Sequence, residues 1–555
     1  MIKMMTHSIS IRSGFRMIMV LCLLGARAAP QAASPPAGTT AAVGYRIAGT
    51  VVSRADSRPL TRSRVTIRDA KNPKKFEFVI TSEDGKYEFT GLPAGKYSLT
   101  GAKRGFISAS YDQHDEFSTA IVTGAGIDTE HLVLRLAPDA VIAGKVLDEA
   151  GDPVRRATVT LYYDDHSSGV DQIHQFRAAQ TDDLGEYELT PLRPGTYFLS
   201  ASSKPWYAVH PPSPSGGQEI TAVDRSLDVT YPLTYYPDVT DADSALPIPI
   251  RGGERVEADF HLNPVPSLHL HFLVPQDGSH TFYAPQLQQP TFDGYTPVPT
   301  SVTSSASPGD MEVTGIPAGR YNVSIHGSTS TLQMNGVDLT KDEEVIDTSK
   351  GEISSTVKFS LQIAAGAAPP APLTVGLRSG TRVIAASQTD SKGEAELQQV
   401  AVGKYEVVVW GPGKRYSVAR ISAQGAEVTG HTLSVAAGSS PSVLLSVVTG
   451  NTDIQGAATK AGKGFAGAMV VLVPKNPEVD RDLFRRDQSD LDGTFLLHAV
   501  VPGSYTLLAI ENGWDLDWSQ PGVIAAYLKP GRKIVVSTQE GRPMNLAEPI
   551  EIQSK

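Results

Sequence analysis

Histidines at i and i+2 of an alternating run, His269 and His271, with His261 before them and His280 after, come nearest in this chain to metal-binding chemistry. Successive side chains of a strand point to opposite faces, so this pair projects to one side, and two adjacent imidazoles suit a transition metal. No carboxylate or third ligand follows at a fixed spacing, and the competing reading is an exposed strand face. Carboxylates crowd three turns, Glu83-Asp84-Gly85, Asp182-Asp183-Leu184-Gly185 and Asp490-Leu491-Asp492-Gly493. Calcium takes such oxygen donors, but the acidic residue that closes a twelve-residue calcium loop is missing, and Asp before Gly is ordinary turn chemistry.

Catalytic patterns are sparse. Gly91-Leu92-Pro93-Ala94-Gly95-Lys96 is one residue short of a phosphate loop, continues into Tyr97 rather than Ser or Thr, and leads into a strand rather than a helix. Neither a His-Glu-x-x-His run nor a Gly-x-Ser-x-Gly elbow occurs. The sequence therefore reads as non-enzymatic, with no cofactor. Its best ligand candidates are aromatic clusters in loop-like contexts: Trp206 and Tyr207, Tyr235 and Tyr236, and Trp514 and Trp518. Exposed aromatic faces stack on sugar rings, with neighbouring Asp or His to hold hydroxyls. The alternative is that these rings plug the ends of domains or pack one domain on the next.

The elements that must position these groups are announced by a unit that recurs five times. A turn glycine (Gly85, Gly185, Gly309, Gly393, Gly493) precedes an alternating strand, a second glycine ten residues on, and a tyrosine two beyond that, at 97, 197, 321, 405 and 505. Copies lie 84 to 124 residues apart, the size of a whole small domain rather than a solenoid unit. Both glycines are expected to close tight turns at positive φ, and each tyrosine to form a corner in which the ring is buried and the hydroxyl bonds upstream backbone. The front of the unit repeats as well. Ile47-Ala48-Gly49-Thr50-Val51, Ile142-Ala143-Gly144-Lys145-Val146 and Ile454-Gln455-Gly456 precede the turn glycine by 36, 41 and 37 residues. About seven strands per unit and no convincing amphipathic helix point to an all-β chain, a tandem array of about five small Greek-key-like β-sandwiches.

Residues 1–28 read as a signal peptide. Lys3, Arg12 and Arg16 precede an apolar run from Met17 to Leu24, and Ala26-Arg27-Ala28 forms a small-x-small cleavage site. The only cysteine, Cys22, falls inside that segment, so the rest has no disulfide or thiolate chemistry. A flexible linker follows at 29–43, and the sandwiches are expected at 44–138, 139–264 (with a long aromatic extension), 265–353, 354–446 and 447–555. A net charge of −10 over 555 residues offers no basic face for nucleic acid, and no later segment is long and apolar enough to span a membrane.

The runs Ile47-Ala48-Gly49-Thr50-Val51, Val65-Thr66-Ile67, Asp84-Gly85-Lys86-Tyr87-Glu88-Phe89 and Leu92-Pro93-Ala94-Gly95-Lys96-Tyr97 resemble the carboxypeptidase regulatory-like domain. That domain is a transthyretin-like (prealbumin-like) sandwich, similar also to collagen-adhesin B-type and starch-binding-like modules. The resemblance is closest over the first two copies, weaker over the fifth, and faintest over the third and fourth. It implies a non-catalytic accessory or interaction module, carried in tandem by large secreted bacterial proteins, and it supplies no active-site residues. The Lys-to-Asn crosslink of some B-type modules would fall at Lys145, for which no paired acceptor is visible. The expected role is protein interaction, adhesion or scaffolding at the cell surface, in the periplasm or outside the cell. The partner would be a cell-envelope protein or, alternatively, a polysaccharide.

Overall fold

The computed structural model describes residues 44–555 except 212–223, 275–282, 293, 305–308, 328–330, 364–371, 381, 413–414, 451 and 538–542. The expected signal peptide, the linker, Cys22 and His280 lie outside the described residues.

In all five copies the first glycine adopts a left-handed backbone, with φ between 71° and 84°. A Cβ is strained there, which is why the turn needs glycine. The strand it launches alternates cleanly. In Lys86–Leu92, Tyr87, Phe89 and Leu92 are buried while Lys86 and Glu88 face water. The chain then crosses to the opposite sheet and continues as Gly95–Ala102. Here the structure departs from expectation, because none of the five second glycines has a positive φ. Four of them provide room for a ring, that of Tyr163 in the case of Gly195, where a Cβ would lie 2.6 Å away; a Cβ on Gly95 would make only ordinary contact, 3.7 Å from the Tyr97 ring. A Cβ on Gly403 would lie 2.8 Å from the Tyr405 hydroxyl, one on Gly319 would lie 3.2 Å from that of Tyr321, and one on Gly503 would lie 3.3 Å from the Tyr505 ring.

The tyrosine hydroxyl then donates to the carbonyl four residues upstream. The distances are 3.0 Å for Tyr97 to Pro93, 2.8 Å for Tyr197 to Arg193, 2.6 Å for Tyr321 to Pro317, 3.0 Å for Tyr405 to Ala401 and 2.7 Å for Tyr505 to Val501. The expected tyrosine corner is thus made five times, and it pins the crossing between sheets.

Around each corner the same topology is built. The opening strand of the first sandwich, Tyr45–Ser53, is central in its sheet, antiparallel to Lys86–Leu92 and parallel to Leu132–Leu136. In the facing sheet Arg64–Asp69 lies between Phe76–Ile80 and Gly95–Ala102, antiparallel to both. The pattern holds where the sequence is least regular. Leu268–Leu273 pairs antiparallel with Asp310–Ile316 and parallel with Glu344–Asp347, and Ser355–Ile363 does the same with Glu394–Val400 and Ser442–Gly450.

Each sandwich encloses its own apolar cluster, such as Ile47, Val65, Phe89, Leu99 and Leu134 in the first and Ile142, Val159, Leu189, Leu199 and Phe260 in the second. Among the described residues the five clusters have no buried member in common, although half-buried Leu491 of the fifth sandwich packs against the first. A sixth cluster lies on the outer face of the fifth sandwich, where Met469, Val471, Leu508 and Ile510 are covered by Trp518 and by Ile524 of the helix Pro521–Leu528. The expectation of a helix-free chain is corrected here: a short helix is stable because it closes an apolar sheet face that water would otherwise wet.

Tyr197→Phe removes the part-buried hydrogen bond to the Arg193 carbonyl and is expected to cost about 1 kcal/mol. Gly403→Ala pushes the Tyr405 ring off its site and is expected to cost about 1–3 kcal/mol. Urea unfolding read by hydrogen exchange in each sandwich checks both. Combined Gly403→Ala and Tyr405→Phe changes should cost less than the sum of the two alone.

Candidate functional site

The side chains best suited to chemistry converge on joints between sandwiches. Arg486 sits on Arg485–Gln488, an edge strand of the fifth sandwich. Its guanidinium is 2.9 Å from the Ser167 carbonyl of the second sandwich and 3.1 Å from Asp115 of the first. It also stacks 4.3 Å over the Trp518 ring and lies 5.2 Å from that of Phe117. The side chain is only 4% exposed, so three sandwiches meet around a buried cation. Arg suits such a place because its planar fork can bond a carboxylate and a carbonyl while its face stacks on a ring.

The rest of the joint is equally specific. Gln488 donates to the Asp112 carbonyl at 2.6 Å and to Thr119 Oγ1 at 2.8 Å. His114 stacks on Trp514 with ring centres 5.0 Å apart. Gly169 approaches Trp518 so closely that a Cβ would lie 2.5 Å from the indole. Asp490, the turn residue of the fifth copy, accepts from Lys96 Nζ at 2.5 Å and from the Ala120 N–H at 3.0 Å. Burial raises its carboxyl above the ordinary range, although Lys96 opposes the shift. Burial pushes neighbouring Asp487 up to about 6.

Of the aromatic candidates, Trp514 and Trp518 belong to this joint. Tyr235 is buried, its edge against Phe292 of the third sandwich at 5.3 Å. Phe292 also packs on Tyr162 at 4.9 Å and Phe198 at 5.0 Å, wedged into the outer sheet face of the second sandwich. Nothing in the sequence around Phe292 signals this wedge. Tyr236 is half-buried against Phe260. The Tyr207 hydroxyl bonds Glu149, which also accepts from Tyr231 at 2.9 Å. Trp206 alone is open, 87% exposed and edge-on to Tyr207. The structure therefore does not bring the six rings together.

His269 and His271 share a face, as their spacing requires, but each ring sits between two carboxylates rather than beside the other on an ion. His269 is buried, with Nδ1 3.0 Å from Glu312 and Nε2 2.5 Å from Asp228, and Asp228 also contacts His210 at 3.0 Å. The exposed-face reading is wrong for it. His271 lies 3.3 Å from both Asp310 and Glu343. Burial alone would lower the His269 pKa, but the bonds to Asp228 and Glu312 outweigh it and raise it above the usual imidazole value. Exposed His261 pairs with Asp238 at 3.2 Å.

A third such ring, His166, faces Asp171 at 2.6 Å and Asp517 of the fifth sandwich at 3.5 Å. These three are the group among the described residues whose ligand atoms lie within metal-holding distance, 4.8 Å of one another. The carboxylates face opposite ring nitrogens, however, and Nδ1 alone is hydrogen-bonded, while buried Nε2 meets Asp517 only as the longer ion-pair contact. Of the acidic turns, Asp182 accepts from the N–H groups of Leu184 and Glu186, each at 2.9 Å, and Asp492 from that of Thr494 at 3.0 Å, whereas Asp84 takes the Ser82 hydroxyl and Lys86 Nζ, each at 2.6 Å. Lys145 pairs with Glu186 at 3.0 Å.

Arg486→Ala is expected to cost about 2–3 kcal/mol at the joint, through lost charge-assisted bonds. Hydrogen exchange should rise at 112–120, 165–171 and 514–518 while the five cores stay protected. A second prediction concerns pH. Because the folded pKa of His269 is raised, its contribution is fully present below the ordinary imidazole pKa and is lost as pH rises through the raised value. Protection factors at 268–273, corrected for the base-catalysed intrinsic rate, should therefore fall from mildly acid to mildly alkaline solution, and His269→Gln should flatten that dependence.

No curated protein matches the chain. Among solved structures, the Streptococcal ancillary pilin is 12% identical, with a TM-score of 0.20, covering 51% of this chain and 98% of its own. The minor pilin GBS52 of Streptococcus agalactiae is 13% identical, with a TM-score of 0.20, covering 40% and 97%. Two B repeat units of the Staphylococcus aureus collagen binding protein are 13% identical, with a TM-score of 0.13, covering 73% and 99%. TM-scores this low support no argument about function. In the described residues no helix is long and apolar enough to cross a membrane. The model of the carboxypeptidase regulatory-like domain family matches residues 46–126 and 141–213, in the first two sandwiches.

Proposed function

We propose that this chain is a non-catalytic structural or adhesion-type protein of the cell surface or extracellular space. In this reading it presents the outer surfaces of its sandwiches to a protein partner in fixed mutual positions. One observation carries the reading: the side chains suited to chemistry, Arg486, His166, His269, Trp514 and Trp518, are engaged in contacts from one sandwich to another, Trp518 against Gly169. Rigid presentation raises affinity for a partner that touches several sandwiches, because the ordering cost is met before binding. The test compares wild-type protein with Arg486→Ala for retention of native envelope proteins on an immobilised column. Retention that falls with Arg486→Ala supports a partner that needs the fixed arrangement. Retention unchanged by the substitution counts against it.

Polysaccharide binding is a second reading, favoured at one place. The open Trp206 ring, braced by Tyr207 and by the Glu149 bond behind it, is a platform of the kind sugars stack on. On a glycan array a wild-type signal is expected to vanish in Trp206→Ala. Absence of any wild-type signal removes this reading.

A further inference from the structure

The outer face of the second sheet is covered differently from copy to copy. In the second sandwich Phe292 wedges onto it, in the fifth a helix and Trp518 close it, and in the fourth Arg378 reaches out to Asp482 at 2.8 Å. In the first sandwich the same face carries Phe76, Phe78 and Ile80, exposed by 51%, 52% and 55%, on a strand at the very edge of its sheet. The register places Phe76 opposite Arg68, Phe78 opposite Thr66 and Ile80 opposite Arg64. Arg64 stacks 4.4 Å over Phe78 and Arg68 lies 5.3 Å from Phe76, so the stripe is held flat rather than folded inward. An apolar stripe on an open edge strand is a template for another strand.

We propose that strand Phe76–Ile80 is a dimerisation edge on which a second copy of this chain pairs antiparallel about a two-fold axis through Phe78.

The backbone phase selects this partner. Asp69 N–H bonds the Lys75 carbonyl at 3.1 Å and Thr81 N–H bonds the Ser63 carbonyl at 2.9 Å. In an antiparallel pair, residues that bond the neighbour alternate with residues whose groups point away. The odd-numbered residues from Lys75 to Thr81 therefore turn their N–H and C=O groups inward to Arg64–Asp69. Phe76, Phe78 and Ile80 turn theirs to the open side. A two-fold axis at Phe78 sets Phe78 against Phe78, and Phe76 against Ile80 twice. Every outward group then meets its complement, and the two apolar stripes join on one face.

Charge agrees with that direction. Exposed Lys74 and Lys75 precede the strand and exposed Glu83 and Asp84 follow it, so antiparallel pairing brings a basic end to an acidic end twice, whereas parallel pairing aligns like with like. A contact made by short strands lies at the small end of specific interfaces, so the dimer should form and dissociate with concentration. Two-fold self-pairing also closes after two copies and leads to no filament.

Sedimentation equilibrium of the purified protein across a concentration series tests the proposal. The expected result is a monomer–dimer equilibrium that Phe78→Lys weakens by about tenfold or more, since two like charges then face each other across the axis. Val535→Lys, a charge placed at an exposed apolar position on the fifth sandwich, should leave the equilibrium unchanged. A wild-type monomer at every concentration overturns the proposal, as does a dimer that survives Phe78→Lys. Register is read separately in a Cys22→Ser background. Under mild oxidation Phe78→Cys should crosslink to itself, because residues directly opposed lie within disulfide reach. Phe76→Cys should not, because its own counterpart is about 14 Å away along the partner strand. Equal crosslinking of the two overturns the register.

Discussion

One hydrogen bond, from a tyrosine hydroxyl to a carbonyl four residues earlier, governs how this chain folds. It is made at the point where the backbone leaves one sheet of a sandwich for the other. The carbonyls at that crossing lie at or near the buried end of the sandwich, where an unmet acceptor is costly. The hydroxyl meets one of them, the ring fills the end of the core, and in the third, fourth and fifth copies the glycine two residues before leaves space for the ring. Burial drives the Tyr197 and Tyr505 phenols up to about 12, which keeps them protonated donors at any physiological pH. With the crossing fixed, the opening strand has one place to go, between its antiparallel and parallel neighbours, and the same order follows in every copy.

The joints obey different physics from the cores. Inside each sandwich stability comes from aliphatic and aromatic burial. Between sandwiches aromatic contacts such as the Phe292 wedge are joined by geometrically exacting polar ones, with buried Arg486 and His269 and half-buried Lys96 each given a carboxylate. Such pairs give little net stability over an apolar contact of the same shape, but they penalise any misfit heavily. Arg485, beside Arg486, has carbonyls instead of a carboxylate: its guanidinium donates to those of Asp482 and Phe484, and burial, aided by Arg415, depresses its pKa to about 10. These joints therefore favour one mutual placement of the sandwiches over strength of attachment.

How much of this the sequence shows depends on distance along the chain. Period-two burial in strands such as Lys86–Leu92, the positive φ at Gly85 and its counterparts, and the tyrosine corner all arise within a dozen residues and are legible there. The role of Gly403 is not, since a glycine that admits a ring looks the same as one that bends the backbone. The third and fourth sandwiches look irregular because different apolar residues, Leu270 or Val357, fill the place of Ile47. The fold needs only the alternation. The joints were invisible for a simple reason: Lys96 and Asp490 are 394 positions apart, and no local pattern links them. The aromatic clusters could be seen as special, yet only partners elsewhere make Trp518 a stacking surface for an arginine and leave Trp206 bare.

The clasp around Arg486 has a consequence for the order in which the molecule is made. Sandwiches with independent cores fold as they emerge, the N-terminal ones first. Asp115 and Ser167 are thus in place long before the arginine that bridges them has been synthesised, and a nascent chain holds two finished modules that await a third. The last hundred residues act as a keystone, converting a row of separately folded pieces into a single body at the moment of completion.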